Sequence, residues 1–288
     1  MTPANRSDYG RETNMSSALQ KALSVLEYMI QRPLGVPVSE IATALNMPVS
    51  GVHRLMKELE SIGYVRQTRD MGDYKLTIKL ASLGLSYLGQ SGIVDVSQPI
   101  LDNLAQRSHE LVRMSLMDAG QLVWVGVAQG ATSGLRYDPG SEQGQVIHLA
   151  SSAGGQAWLA AMSDEAAIEA VMKQGLIRPG EPGEQSPRTI AELLEVLKAV
   201  RERGYSRNAN SYLAGMAAMA QVVRHPDTGE PIGTVSIAGP SVRMTETVMD
   251  GFRDALNDAA RELSEASRAS LFFSRQGEGT RSLTRTAV

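Results

Sequence analysis

Through the first hundred residues apolar positions return every three to four places, and further on they alternate in short runs set between helical stretches. Residues 16 to 30 place Leu19, Ala22, Leu23, Leu26, Met29 and Ile30 at helical spacing behind Ser16 and Ser17, which can cap the start. That pattern predicts one amphipathic helix. The stretch SEIATALNMPVSGVHRLMKELESIGYV, residues 39 to 65, reads as two short helices sharing a polar hinge. In RQTRDMGDYKLT, which follows, Gly72 and Asp73 suit the tip of a hairpin between two short strands. Helix, helix, helix, hairpin is the winged-helix order.

Residues 78 to 90 carry Leu80, Leu83, Tyr87 and Leu88 on one helical face, a candidate linker, and a second helix follows over roughly 95 to 109. In LVRMSLMDAGQLVWVGVA two alternating runs flank DAGQ, which predicts an antiparallel hairpin. Helices are then expected at about 155–162, 164–174 and 189–203, the last with a capping box of Thr189 and Glu192 and a stripe of Ile190, Leu193, Leu194, Leu197 and Val200. Strands at about 216–224 and 231–238 surround the turn HPDTGEP, and a closing helix over about 246–271 would bury Val248, Phe252, Ala255, Leu256, Ala259 and Leu263.

Strands interleaved with helices make this half an α/β or α+β domain of a size suited to sensing a ligand. The expected division is a disordered arm (1–15), a helix-turn-helix unit (16–78), a linker helix (79–94), a mixed α/β or α+β unit (95–271) and a disordered tail (272–288). There is no internal repeat.

Within the hinge stretch, Ala42 falls where the second helix meets the third most closely, and Asn46 sits where the turn demands a left-handed backbone, which asparagine tolerates. Ile41, Leu45, Val52 and Leu55 supply the contacts between the two helices, a spacing that matches a helix-turn-helix. In the third helix Val52, Leu55, Met56, Leu59 and Ile62 form the buried stripe, which turns Ser50, His53, Arg54 and Lys57 outward, with Gly51 beside them. All four side chains can donate to phosphates or base edges, and the N-terminal half of such a helix enters the major groove. Arg66, Arg69 and Lys75 fall on or beside the wing, suited to the DNA backbone or minor groove.

Composition narrows this reading. The 288 residues suffice for two domains, and the formal charge of −3 makes any DNA-binding charge local. From Val49 to Lys79 Arg54, Lys57, Arg66, Arg69, Lys75 and Lys79 stand against Glu58, Glu60, Asp70 and Asp73, a modest positive excess in a net-negative chain. The competing reading of this surface is a solvated face of an ordinary helical bundle or a protein-interaction module. Cysteine is absent, which removes disulfides, thiol nucleophiles and zinc-thiolate sites together. The polar N-terminus lacks the apolar core of a signal peptide, and no run approaches the roughly 18 apolar residues of a membrane span, so a soluble cytoplasmic protein is expected.

With these residues in hand, the chain resembles the IclR family of bacterial transcriptional regulators. The resemblance rests on the hinge stretch, on DYKLTIKLASLG after it, on LASSAGGQAWLA, on RGYSRN and on IGTVSIAGPSVRMT, in family order over roughly residues 16 to 270. It implies a winged helix-turn-helix domain, a linker helix and a C-terminal GAF-like α/β domain that binds a small effector. It also implies a homodimer or dimer of dimers on double-stranded operator DNA.

Read from its residues alone, LASSAGGQAWLAAM is a strand end, a small-residue loop and a helix start. A carboxylate could sit against the N–H groups of Ala153, Gly154 and Gly155, with Ser151 or Ser152 adding a hydroxyl. The loop reads equally well as a tight turn whose small residues serve packing. The resemblance places the effector at this loop and, position by position, adds Asn208, Ala218, Ser236 and Ala238. This chain departs from members that bind small oxoacids. Asn208 stands at an acidic position, Ala218 at a cysteine, Ala238 at a serine and Gln156 at a lysine. Each change removes a charge, a thiol or a hydroxyl, so an aromatic or longer-chain carboxylate is expected in place of a compact oxoacid.

His53, His109, His148 and His225 show no metal-ligand spacing, and nothing close in sequence to Ser151 or Ser152 reads as a base. Nucleophile elbow, P-loop and dinucleotide fingerprint are all missing. No cofactor, metal site or catalytic residue is expected. The sequence reads as a DNA-binding regulator of a catabolic or metabolic operon that responds to a small organic acid. The rivals are an enzyme or ligand-binding protein whose N-terminal helices serve dimerisation, and a regulator without small-molecule input.

Overall fold

The computed structural model describes residues 17–68, 72–137, 142–180 and 183–270. The expected arm and tail, Ser16 and Arg69 lie outside the described residues. The chain forms two compact units that divide between Gln90 and Ser91.

The first unit opens with α1 (Ala18–Ile30), started by a capping box in which the Ser17 hydroxyl accepts from Gln20 N–H and the Gln20 side chain reaches back to Ser17. The buried arc is Val25, Leu26 and Met29, while Leu19, Leu23 and Ile30 are exposed, contrary to the six-residue stripe expected. A three-helix core covers only one arc of α1, so the margins of a wide apolar stripe stay at the surface. Next come α2 (Val38–Ala44) and α3 (Val49–Ser61), joined by a turn in which Asn46 takes φ of 49°. Ala42 is buried where the helices meet, and its carbonyl accepts from Met47 N–H at 2.9 Å. Val52, Leu55, Met56 and Leu59 point inward, but Ile62 caps the end of α3 past the core and is exposed.

The wing pairs β1 (Val65–Gln67) with β2 (Tyr74–Leu76), burying Val65 and Tyr74 against the helices. Gly72 takes φ of 72° in the connection. Then α4 (Ile78–Ser91) leaves Leu83, Leu85 and Tyr87 exposed and half-buries Leu80 and Leu88.

In the second unit α5 (Ile93–Ser108) leads into the hairpin β3 (Leu111–Asp118) and β4 (Gln121–Gln129), turned by Ala119 and Gly120, both at positive φ. After α6 (Ala153–Ala160), α7 (Asp164–Gln174) and α8 (Ile190–Arg203) come β5 (Ser206–Ala209), β6 (Met216–Arg224) and β7 (Pro231–Pro240). These strands form one antiparallel sheet of order β4-β3-β7-β6-β5. The expected strand end before Ser151 is only an isolated bridge between Val146 and Val123, followed by turn.

The single closing helix foreseen is instead α9 (Glu246–Gly251) and α10 (Arg253–Ala266), parted at Phe252. The break shifts the buried face, so Met249 is inside and Val248 is exposed. Strand alternation then divides the sheet's side chains. Val112, Met114, Leu116, Met219, Val235 and Ile237 join α5 and α10 in the main core, and the opposite face carries Asn208, Ala218, Ser236 and Arg113 toward the α6 side. No helix among the described residues is long and apolar enough to cross a membrane.

Candidate DNA-binding surface and effector pocket

Pro48 precedes α3, and the buried side of that helix leaves Ser50, His53, Arg54 and Lys57 exposed, with half-buried Gly51 beside them. The Arg54 side chain is 78% exposed and only 3.9 Å at its nearest from Glu58, a weak surface pair. Lys57 differs: its ammonium sits 2.9 Å from Glu60, which raises its pKa above the ordinary lysine value. The other Glu60 oxygen accepts from Gln67 N–H, so this carboxylate ties the end of α3 to the wing. On the wing Arg66 is exposed and stands opposite Lys75, whose stem packs beside Gly35. Lys79, counted in the basic excess, instead donates to the Ile62 carbonyl at 2.6 Å, where a cation satisfies the C-terminal end of α3.

In the second unit a cavity of about 20 Å³, room for one water, is lined by Arg113, Tyr137, Asn208, Tyr212, Ala218 and Ala238, among others. Three expected effector residues, Asn208, Ala218 and Ala238, meet there because β5, β6 and β7 place them in one cross-strand row. Ser236 lies one row along and donates to the Arg113 carbonyl at 3.4 Å. A β-bulge between Met114 and Ser115 pairs Ser115 with Trp124, which turns the indole onto the Arg113 face. The guanidinium then lies 4.4 Å from the Trp124 ring centroid.

The turn at 151–155 stands behind this cavity and does not line it. Ser151 is fully buried, and Ser152 caps α6 by accepting from Gly155 N–H at 3.0 Å. The glycines belong to the first turn of α6, where close packing needs them. A Cβ on Gly155 would lie 2.4 Å from Leu149 Cα, and one on Gly154 would lie 2.9 Å from Thr234 Oγ1. The Ala153 carbonyl accepts from Ser206 Oγ at 2.6 Å. Asn208 connects turn and cavity, donating to the Ser151 carbonyl at 3.3 Å and to Gln156 at 3.0 Å.

The expectation that no base lies close in sequence to Ser151 fails here. His148 is buried, its Nε2–H donates to the Gly175 carbonyl at 3.1 Å, and its Nδ1 therefore accepts from the Ser151 hydroxyl at 2.9 Å. A base does stand beside Ser151, three residues upstream. Burial holds the His148 pKa below the ordinary value despite the Gly175 carbonyl, so the ring is a neutral clamp on the turn.

Sequence reading also missed Arg113, Tyr137, Glu142 and Tyr212. The Arg113 side chain pairs with Glu142 at 2.5 Å, and Glu142 also accepts from the Tyr137 hydroxyl. Burial and then the neighbouring Glu142 push the Tyr137 pKa well above the ordinary value, and the same causes raise Tyr212. The available signal was a lone charge in the apolar run LVRMSLM, on a strand whose residues are buried on both faces.

A wider surface cleft of about 560 Å³ runs between α6, α8, β6 and α10. Its Arg201 is already bonded to the Ala160 and Met162 carbonyls and to Asp164.

Comparison with known proteins covers both units. The IclR helix-turn-helix domain matches residues 18–69, and the C-terminal domain of bacterial transcriptional regulators of the IclR type matches residues 85–265. The HTH-type transcriptional repressor AllR of Escherichia coli K12 is 25% identical over 254 residues, which cover 87% of this chain and 90% of the relative. The crystal structure of Thermotoga maritima IclR is similar with a TM-score of 0.66 and 28% identity, over 86% of this chain and 97% of that one. An IclR homologue from Microbacterium hydrocarbonoxydans, solved in complex with 4-hydroxybenzoate, shares the fold with a TM-score of 0.71 at 22% identity, over 88% and 100% of the two chains. With both domains matched in that order, the chain belongs to the IclR family of bacterial transcriptional regulators, whose members control transcription and are not enzymes.

Proposed function

We propose that the protein regulates a catabolic or metabolic operon from the cytoplasm, binding operator DNA as a homodimer or dimer of dimers and responding to a small organic acid. The observation that carries the reading is the exposed face of α3, where Ser50, His53 and Arg54 project from a helix held by the Ala42 contact and the Asn46 turn. Arg66 and Lys75 extend that face with wing cations suited to phosphates, and Arg69 is assigned the same role. Leu83, Leu85 and Tyr87 on α4 offer apolar surface for a second copy to bury.

The effector is an aromatic or longer-chain carboxylate, contacted by Asn208, Ala218 and Ala238, with Ser236 and the 151–155 turn behind them. Apolar Leu213, Met216, Ala217, Ala218 and Ala238 around the cavity support this over a compact oxoacid. The 4-hydroxybenzoate held by the Microbacterium homologue makes aromatic acids the first probes.

Gel-shift titration on the DNA upstream of the protein's own gene, at several salt concentrations and with a panel of aromatic and aliphatic carboxylates, tests this. Specific retardation with a steep salt dependence, altered by one acid, is the expected result. Absence of specific retardation in low salt would overturn it.

A further inference from the structure

The Arg113 side chain is 8% exposed, on the sheet face that also carries Asn208, Ala218, Ser236, Thr234 and Trp124. Among the described residues its Nε–H has no hydrogen-bond partner. A buried cation with an unused donor is costly unless something anionic completes it. One Nη is completed by Glu142, from a segment that the chain itself supplies.

That segment is pinned. Gly144 N–H donates to the Trp124 carbonyl at 2.8 Å, Trp124 N–H donates to Gln145, and the Gln143 side chain reaches the Val125 carbonyl. The Tyr137 loop is held as well, by Gln129 on its carbonyl and by Arg243 on the Leu135 carbonyl. The backbone is thus held at Leu135, Tyr137, Gly144 and Gln145, so an exchange at Arg113 calls on the Glu142 side chain.

A cavity of about 20 Å³ admits nothing larger than water unless a group beside it moves. The Glu142 carboxylate is bound to two of the lining residues, Arg113 and Tyr137, and presents to them the group an organic acid would present. We propose that Arg113 is the carboxylate anchor of the effector pocket and that Glu142 is an internal stand-in, displaced when an aromatic carboxylate binds. The incoming acid gains Arg113 and the Tyr137 hydroxyl, and its ring lies against Trp124, Tyr137 and Tyr212. The exchange leaves one carboxylate on Arg113 before and after, so no buried charge is orphaned, and a neutral analogue has no means of driving it. This inference rests on the reading of the second unit as an organic-acid sensor.

The test compares full-length wild type with Glu142→Gln, Arg113→Gln and the charge-balanced Arg113→Gln/Glu142→Gln double variant. Benzoate, 4-hydroxybenzoate and phenylacetate are each titrated beside their amides by calorimetry and by tryptophan fluorescence. Glu142→Gln should bind at least one acid at least tenfold more tightly than wild type and leave the amides unchanged. The double variant, whose folding is checked by circular dichroism, should lose the preference for acid over amide. Equal acid affinity in wild type and Glu142→Gln, an undiminished acid preference in the double variant, or no acid binding to Glu142→Gln would each overturn the exchange. Gel shifts on the same preparations separate the two readings, because intact operator binding beside any of those results leaves the regulator assignment standing.

Discussion

Arg66 and Lys75 are directly opposed on the two strands of the wing, so two cations share one face of a three-residue ladder whose other face buries Val65 and Tyr74. Opposed like charges weaken a strand pair, and a DNA phosphate between them would turn that repulsion into attraction. Arg66→Gln should therefore weaken specific and non-specific DNA alike and lower the slope of log K against log salt by about 1. The melting temperature of the free protein should hold or rise slightly. A change confined to one base pair would instead place Arg66 on a base edge.

Arg54 projects from the first turns of α3 with only a long, exposed approach to Glu58. If it reads a base, Arg54→Ala should cost about 1–3 kcal/mol of operator affinity and flatten the preference at that position. Binding measured on a set of single-base operator variants decides this; uniform loss across the set would mark a phosphate contact.

His148 titrates below the ordinary value of 6.5 in the folded chain because it is buried, whereas the unfolded chain has it at that ordinary value. Its neutral form favours folding, so this contribution is complete above pH 6.5 and is lost as pH falls below it toward the folded value. His148→Asn should show a flatter decline in urea midpoint between pH 7.5 and 5.5 than wild type. Parallel declines would remove His148 from the balance.

Gly155→Ala places a methyl 2.4 Å from Leu149 Cα, and backbone cannot yield as a flexible side chain would. The cost should reach about 3 kcal/mol. Trp124 and Trp158, the chain's only tryptophans, both lie in this unit, so their fluorescence during urea unfolding reports it selectively. An unchanged midpoint would show that the glycine is not needed for packing.

Local chemistry was legible wherever neighbours in sequence are also neighbours in space. Ala42 and Asn46 announced the helix-turn-helix because the hinge is a matter of four residues and one left-handed backbone. Ala119 and Gly120 closed their hairpin for the same reason, and Thr189 with Glu192 started α8, although the carboxylate reaches Arg188 N–H and not that of the cap residue itself. Periodicity overreached at margins. It cannot tell how wide an arc the rest of the core will cover, so Leu19, Leu23, Ile30 and Ile62 were drawn inside and lie outside.

The pocket shows the harder limit. Asn208, Ala218 and Ala238 were drawn together only by the family pattern, and the Ser151–His148 pair escaped notice although its members are three positions apart. The order of elements, the helix-turn-helix and its basic face follow from the sequence by itself, since short-range sterics and helical spacing dictate them. Only the tertiary structure decided that Arg113, Trp124, Tyr137 and Glu142 meet, because a bulge in β4, the strand order of the sheet and a returning segment bring them together. The physical reason is that a buried charge is tolerated only where its partner arrives, and that arrival is a property of the folded chain.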